Sequence, residues 1–187
     1  MTYRARLAVA GALATVLLAP TPAVASTSSP SSGAPFTITR EKGHVLDCSG
    51  EHGGVHVAVQ LYDNSAFGTH ASLNVRTADT QYLRGGETDA GLFNNGTLSR
   101  TLVVDQQGEA AGPSQTAVIN GSYTPAGPRQ RVHVVHDEPW GQVVSKGWKT
   151  PLSAAVTVQV LGQRVDLTCD NAFAFDNRVW RLVFNES

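Results

Sequence analysis

From residue 36 onward, apolar and polar side chains alternate along the chain with a period of two. The clearest case is residues 55–62, where Val55, Val57, Val59 and Leu61 alternate with polar or small residues. Because successive side chains of a strand point to opposite faces, this alternation predicts a β-strand with one buried face. Similar patterns predict nine further strands: 36–40, 44–48, 70–76, 100–105, 116–123, 131–136, 154–161, 164–169 and 179–184.

This pattern predicts an all-β domain, because no ten-residue stretch after the N-terminal segment carries the apolar stripe of a helix. We expect an antiparallel β-sandwich of roughly eight to ten strands. A partly open β-barrel is the alternative, since short alternating strands suit both folds. Near the C-terminus, a two-residue turn at Gly162-Gln163 is predicted to join two strands, with Val160 opposite Val165.

The two cysteines, Cys48 and Cys169, fall at apolar positions of predicted strands. In an oxidising compartment such a pair is expected to form a disulfide. The alternation turns both sulfur atoms toward the core, so we predict one buried bridge that joins the two sheets of the sandwich.

The N-terminus has the layout of a secretory signal peptide. Arg4 and Arg6 precede an apolar run of 13 residues, two prolines break that run, and Ala23-Val24-Ala25 offers small residues for cleavage. The run is shorter than the roughly 20 residues of a membrane-spanning helix. We therefore predict a signal peptide at 1–25, a flexible Ser/Pro-rich leader at 26–35 and a single domain at 36–187. The product is expected to be extracellular, bacterial and free of the membrane after cleavage.

Charge argues against a nucleic-acid partner. The whole chain has a net charge of −1, and removal of residues 1–25 takes away two arginines and no acid, which leaves −3. The basic residues are dispersed along the sequence, whereas nucleic-acid binding usually needs a clustered basic face.

No metal, cofactor or catalytic motif stands out. His133 and His136 lie three apart on a predicted strand and so point to opposite faces. Asp and Asn recur between Asp170 and Asn177, a composition that could bind calcium, but the spacing of an EF-hand loop is missing and turn formation is the favoured interpretation. No Gly-x-Ser-x-Gly motif is present.

The segment 137–151 is the predicted binding loop. It holds Trp140, Trp148, Lys146 and Lys149 among glycines and prolines. Tryptophan flanked by turn residues can form an exposed platform for a sugar ring or a protein partner. In the alternative interpretation, both indoles fold inward and close the end of the sandwich. Trp180 alternates with apolar residues and is predicted to lie in the core.

Three functions agree with these features. The first is a secreted, non-enzymatic binding protein for an extracellular polymer or protein, such as cell-wall material or a polysaccharide, which it binds through the Trp-bearing loop. The second is an inhibitor of an extracellular hydrolase that presents the loop 124–130 with Arg129. The third is a hydrolase whose site is assembled from distant strands.

Overall fold

The computed structural model describes residues 36–88, 91–108, 112–139 and 141–183, which belong to one compact unit. These residues form strands and turns, and among them no helix has the length and hydropathy that a membrane crossing requires. Eleven strands follow one another in the described residues: β1 (Phe36–His52), β2 (Val55–Asn64), β3 (Gly68–Arg76), β4 (Gln81–Arg84), β5 (Glu87–Thr88), β6 (Phe93–Asn94), β7 (Thr97–Gln106), β8 (Gln115–Pro125), β9 (Gln130–Glu138), β10 (Gly141–Val160) and β11 (Gln163–Val183).

All pairings between the strands are antiparallel, and the main ladder closes on itself. Its order is β11-β1-β2-β3-β4-β7-β8-β10, and β10 pairs again with β11. The two short strands β5 and β6 pair with β3 and β7, and β9 pairs with β10. The prediction of an all-β antiparallel fold is therefore confirmed.

The closed part of this ladder, which we call the body, holds the apolar core. Its inward positions are the alternating valines and leucines that predicted the strands. Ten of them are fully buried: Leu46, Val59, Leu61, Leu73, Val75, Val104, Ala117, Ile119, Val158 and Val165. Burial of this apolar surface is the main stabilising contribution to the fold.

Beyond the body, three strands of the same sheet continue and are joined by β9, and we call this part the extension. It consists of residues 36–42 of β1, 174–183 of β11, 141–150 of β10 and all of β9, side by side in the order β1-β11-β10-β9. Most of its described side chains are exposed or half-buried. The extension therefore offers surface, whereas the body supplies the core.

The predicted disulfide is confirmed, but its place in the fold differs from the prediction. Cys48 and Cys169 are bonded and are direct partners on the neighbouring strands β1 and β11. The bridge thus joins two adjacent strands of one ladder instead of two facing sheets. The direct pairing of the first and last long strands brings residues 121 positions apart into contact.

Two further predictions on strand geometry were wrong. The C-terminal turn is formed by Leu161 and Gly162, which both have positive φ, so Val160 pairs with Gln163 and not with Val165. Positive φ at both central residues is the geometry that matches the twist of a two-residue hairpin.

The predicted strands 36–40 and 44–48 are one continuous strand. At the join, the carbonyl oxygen of Asp63 on β2 passes so close to Gly43 that a Cβ atom would overlap it. Glycine is therefore needed at this close approach and does not interrupt the strand. The segments 164–169 and 179–183 are likewise parts of β11, while residue 184, the predicted signal peptide 1–25 and the leader 26–35 lie outside the described residues.

Candidate functional site

The register of the extension arranges its side chains in transverse rows. Directly paired residues of antiparallel strands point to the same face, so each row crosses all four strands. On the face that we call the front face, four rows follow one another from the free end toward the body. They are Phe36–Leu182–Gln142–Asp137, then Ile38–Trp180–Val144–Val135, then Arg40–Arg178–Lys146–His133, and finally Lys42–Asp176–Trp148–Arg131.

The third and fourth rows concentrate positive charge. We call them, together with Arg129 of the β8–β9 connection, the cationic band. The band holds six cations: Arg40, Lys42, Arg129, Arg131, Lys146 and Arg178. It holds one carboxylate, that of Asp176. The band is therefore strongly positive on a chain whose net charge is −1.

Cations in the third row lie directly side by side. Arg40 pairs in register with Arg178, which in turn lies next to Lys146 across the strands. Like charges in opposed positions destabilise a sheet. In the described part of the chain, no carboxylate lies within ion-pair distance of Arg178 or Lys146. This repulsion would be relieved by a bound anion.

Asp176 neutralises part of the band and orients one of its arginines. Its carboxylate accepts two hydrogen bonds from Arg40, at 3.1 Å and 3.0 Å, and lies 3.5 Å from Nζ of Lys42. The hydrogen bonds from Arg40, with the charges of Arg40 and Lys42, hold the pKa of Asp176 below its usual range. The two-pronged contact fixes the Arg40 guanidinium in one orientation.

Two indoles lie within the positive field. The guanidinium carbon of Arg129 is 4.1 Å from the centre of the Trp148 ring, and that of Arg131 is 5.5 Å from it. Nζ of Lys146 lies 5.7 Å from the Trp180 ring. These are cation–π distances, so the rings hold the ends of long, otherwise mobile cations in place.

Shallow grooves run along both sides of Lys146 and Trp148. One, of about 510 Å³, lies between these residues and β9 and is also lined by Arg131, Arg178 and Trp180. The other, of about 340 Å³, is lined by Arg40, Arg129 and Asp176 in addition. Gly147 belongs between them because a Cβ there would overlap the carbonyl oxygen of Asp176. Cations and indole rings therefore line two shallow grooves of the front face.

On the opposite face of the extension, a partly buried ion pair between Glu41 and Arg181 is joined to the body through a hydrogen bond from Asn64. Arg181 donates to Glu41 at 2.7 Å and to Thr39 at 2.9 Å, and Asn64 of β2 donates to the other Glu41 oxygen at 2.8 Å. Burial opposes ionisation of Glu41. The hydrogen bonds from Thr39, Asn64 and Arg181, with the Arg181 charge, outweigh it and lower the pKa of Glu41. This network supports the front face from behind.

The four predicted binding residues do not share one surface. Lys146 and Trp148 lie on the front face, on strand β10 and not on a loop. Lys149 follows at an odd position and points to the other face, where its Nζ lies 3.8 Å from the centre of the Phe173 ring. Trp140 lies outside the described residues. Trp180, predicted in the core, is half-buried and lines a front-face groove.

Other polar clusters are smaller. Nδ1 of His44 lies 3.0 Å from Asp63, while Phe93 stacks on the imidazole and Tyr123 packs at its side. His56 and Glu51 form an exposed pair at 3.1 Å in a groove of the body.

Over the described ranges, no three His, Cys, Asp or Glu side chains are grouped as metal ligands require. Asp176, in the Asp- and Asn-rich segment 170–177, binds the cationic side chains Arg40 and Lys42.

Comparison with known proteins does not assign this chain to a family. No protein-family model and no curated protein matches the sequence. Among solved structures, the chain is similar to a Nitrosomonas europaea protein provisionally described as AttH, with 12% sequence identity and a TM-score of 0.39. The match covers 90% of this chain but 60% of the other, so this chain spans less than two thirds of that protein. Function is therefore argued from this chain's own residues.

Proposed function

We propose that the protein is a secreted binding protein that holds an anionic component of the cell exterior, such as an acidic polysaccharide, on its cationic band. One observation carries this proposal: Arg40, Arg178 and Lys146 lie side by side on an open sheet with a single carboxylate nearby. A concave surface of one sign attracts ligands of the opposite sign and raises their local concentration. Export would place this surface outside the cell, and the Cys48–Cys169 bridge agrees with that compartment.

The aromatic residues of the band favour a ligand that has rings as well as charges. Arg129 covers one side of the Trp148 ring. The Trp180 ring, half-buried in the groove, can still contact the apolar face of a sugar. Acidic sugars combine both properties, because they carry carboxylates on a ring with an apolar face.

The two alternative functions have weaker support. Arg129 is exposed, as a hydrolase inhibitor would need, but its guanidinium rests on Trp148 and does not project from the β8–β9 connection. A hydrolase would need a nucleophile in its cleft, and no serine, threonine or cysteine lines the two described grooves of the extension.

A titration with polygalacturonate tests the proposal. Tryptophan fluorescence reports binding at low ionic strength, and uncharged dextran serves as the neutral polymer. We expect binding to polygalacturonate that weakens as salt is added, because exposed charges are screened. The double variant Lys146→Glu/Arg178→Glu should lower the affinity by about tenfold or more, because it replaces attraction with repulsion at the centre of the band.

The matched control is Arg84→Glu/Arg164→Glu, which makes the same charge change on exposed residues of the body. Its affinity should stay within about twofold of the wild type, since remote exposed charges contribute little. Equal losses in both double variants would mean that only net charge matters, and the proposed site would be wrong. Equal binding to dextran would contradict an anionic ligand.

A further inference from the structure

Apolar side chains occupy the part of the front face next to the cationic band. We call the six of them the apolar band: Phe36, Ile38, Val135, Val144, Trp180 and Leu182. Phe36 is 60% exposed and Ile38 55%, and Val135 is exposed as well. Single exposed apolar residues are ordinary, but a contiguous set with a polar border marks an interaction surface.

The two bands lie in a fixed order on the sheet. Along each strand, residues that are two positions apart lie on the same face and are separated by about 7 Å. Ile38 is therefore followed at that distance by Arg40, and Trp180 is preceded at that distance by Arg178. An apolar patch bordered by cations is the combination that binds an anionic lipid surface peripherally, through buried apolar area and electrostatic attraction.

We propose that the front face docks on an anionic lipid surface, with the apolar band in the interface and the cationic band on the lipid phosphates. The inference rests on the proposed function, because the same band of cations supplies the attraction. It departs from the expectation that the protein has no membrane contact after cleavage. The contact is peripheral, through a sheet face and not through a spanning segment.

Charge decides between a lipid surface and a second copy of the chain. Two copies joined face to face would either oppose one cationic band with the other or, with the two-fold axis across the apolar band, leave both cationic bands without a partner, because a two-fold interface pairs the same patch from both copies. An anionic bilayer instead attracts each lysine or arginine near its surface.

The composition of the apolar band agrees with a lipid surface. Trp180 is of the residue type that is enriched at membrane interfaces. Asp137, at the β9 corner of the face, accepts a hydrogen bond from Gln142 at 2.8 Å. The strands β1 and β11, which carry no acid in the two apolar rows, therefore form the docking side.

Vesicle co-sedimentation tests the inference. The oxidised protein is collected from the medium of an exporting host, and its N-terminus is checked by mass spectrometry. Vesicles of phosphatidylglycerol and phosphatidylcholine are compared with vesicles of phosphatidylcholine alone. We expect binding to the anionic vesicles, and a loss of about tenfold or more in Phe36→Asp/Ile38→Asp, because that variant puts charge into the interface. Ile38→Ser, a milder change, should show a smaller loss in the same direction.

The control is Val103→Asp, which adds a charge at a residue that is 54% exposed on β7 of the body. It should bind vesicles within about twofold of the wild type. Ile38→Ser should keep its affinity for polygalacturonate, because it changes no charge beside the cationic band; circular dichroism checks that both variants of the apolar band are folded.

Three results would overturn the inference. If Phe36→Asp/Ile38→Asp binds vesicles as well as the wild type does and still binds polygalacturonate, the lipid proposal is wrong. The proposed function is then unaffected. A wild-type dimer in sedimentation that the same variant dissociates would assign the apolar band to a second copy. No binding to either vesicles or polygalacturonate would remove both proposals.

Discussion

The body and the extension share three long strands, β1, β10 and β11, which lie in a different environment in each region. In the body these strands bury one face against the closed ladder, and Leu46, Val158 and Val165 are fully buried. In the extension the same strands present Arg40, Lys146 and Arg178 to solvent. A single strand can therefore serve the core at one end and a binding surface at the other, and the two roles can be tested separately.

The largest expected difference between the two regions is in stability. Leu73→Ala in the body should lower the free energy of unfolding by about 2–5 kcal/mol, because it leaves a cavity in a fully buried site. Ile38→Ala in the extension should lower it by less than about 0.5 kcal/mol, because Ile38 is mostly exposed. Denaturant unfolding of both variants measures the contrast. Similar losses would mean that the extension is part of the core.

A medium effect is expected at the contact that holds the extension to the body. Glu41→Gln leaves Arg181 without its carboxylate partner and should cost about 1–2 kcal/mol at neutral pH. Because the pKa of Glu41 is lowered in the folded state, its contribution is complete above about pH 4.3, the ordinary glutamate value, and is lost as the pH falls through the folded-state pKa.

The pH profile supplies the check on that prediction. Unfolding free energies of the wild type and of Glu41→Gln, measured from neutral pH downward, should converge on the acid side of this window. Curves that stay parallel through it would show that Glu41 does not carry this contribution. Glu51→Gln, at an exposed residue of the body, is the matched control.

The smallest effect is expected at Asp176. Asp176→Asn removes an exposed pairing with Arg40 and should change stability by less than about 1 kcal/mol. Its effect on binding should have the opposite sign to that of the charge reversals. Loss of the carboxylate makes the band more positive, so affinity for polygalacturonate should rise about twofold to fivefold. Weaker binding would indicate that the orientation of Arg40 matters more than the charge of the band.

Sequence patterns predicted the body better than the extension, and the reason is physical. A strand with one buried face shows alternation, as residues 55–61 do, and such strands were recognised. In residues 142–150 of β10 and 174–178 of β11, every side chain is exposed or half-buried, so polar and apolar residues do not alternate cleanly. Residues 141–151 of β10 were therefore assigned to a loop, and residues 170–177 of β11 to turns.

The site was only partly accessible from sequence for a second reason. Lys146 and Trp148 are two positions apart, so the alternation of a strand places both on one face. Lys149 is three positions from Lys146, so the same alternation places it on the other face. Arg40 and Arg178 join them only through the register of β1, β10 and β11. That register depends on long-range pairing between the two ends of the chain, which local alternation does not encode.

Backbone amide chemical shifts, measured by NMR during a titration with polygalacturonate, test the central claim most directly. The account predicts shifts confined to residues 36–42, 129–138, 141–150 and 174–183, with the largest near Lys146 and Arg178, and none in the core strands β2 and β3. Shifts that centre on the body, for example around His56 and Arg76, would place the binding surface elsewhere and contradict the account.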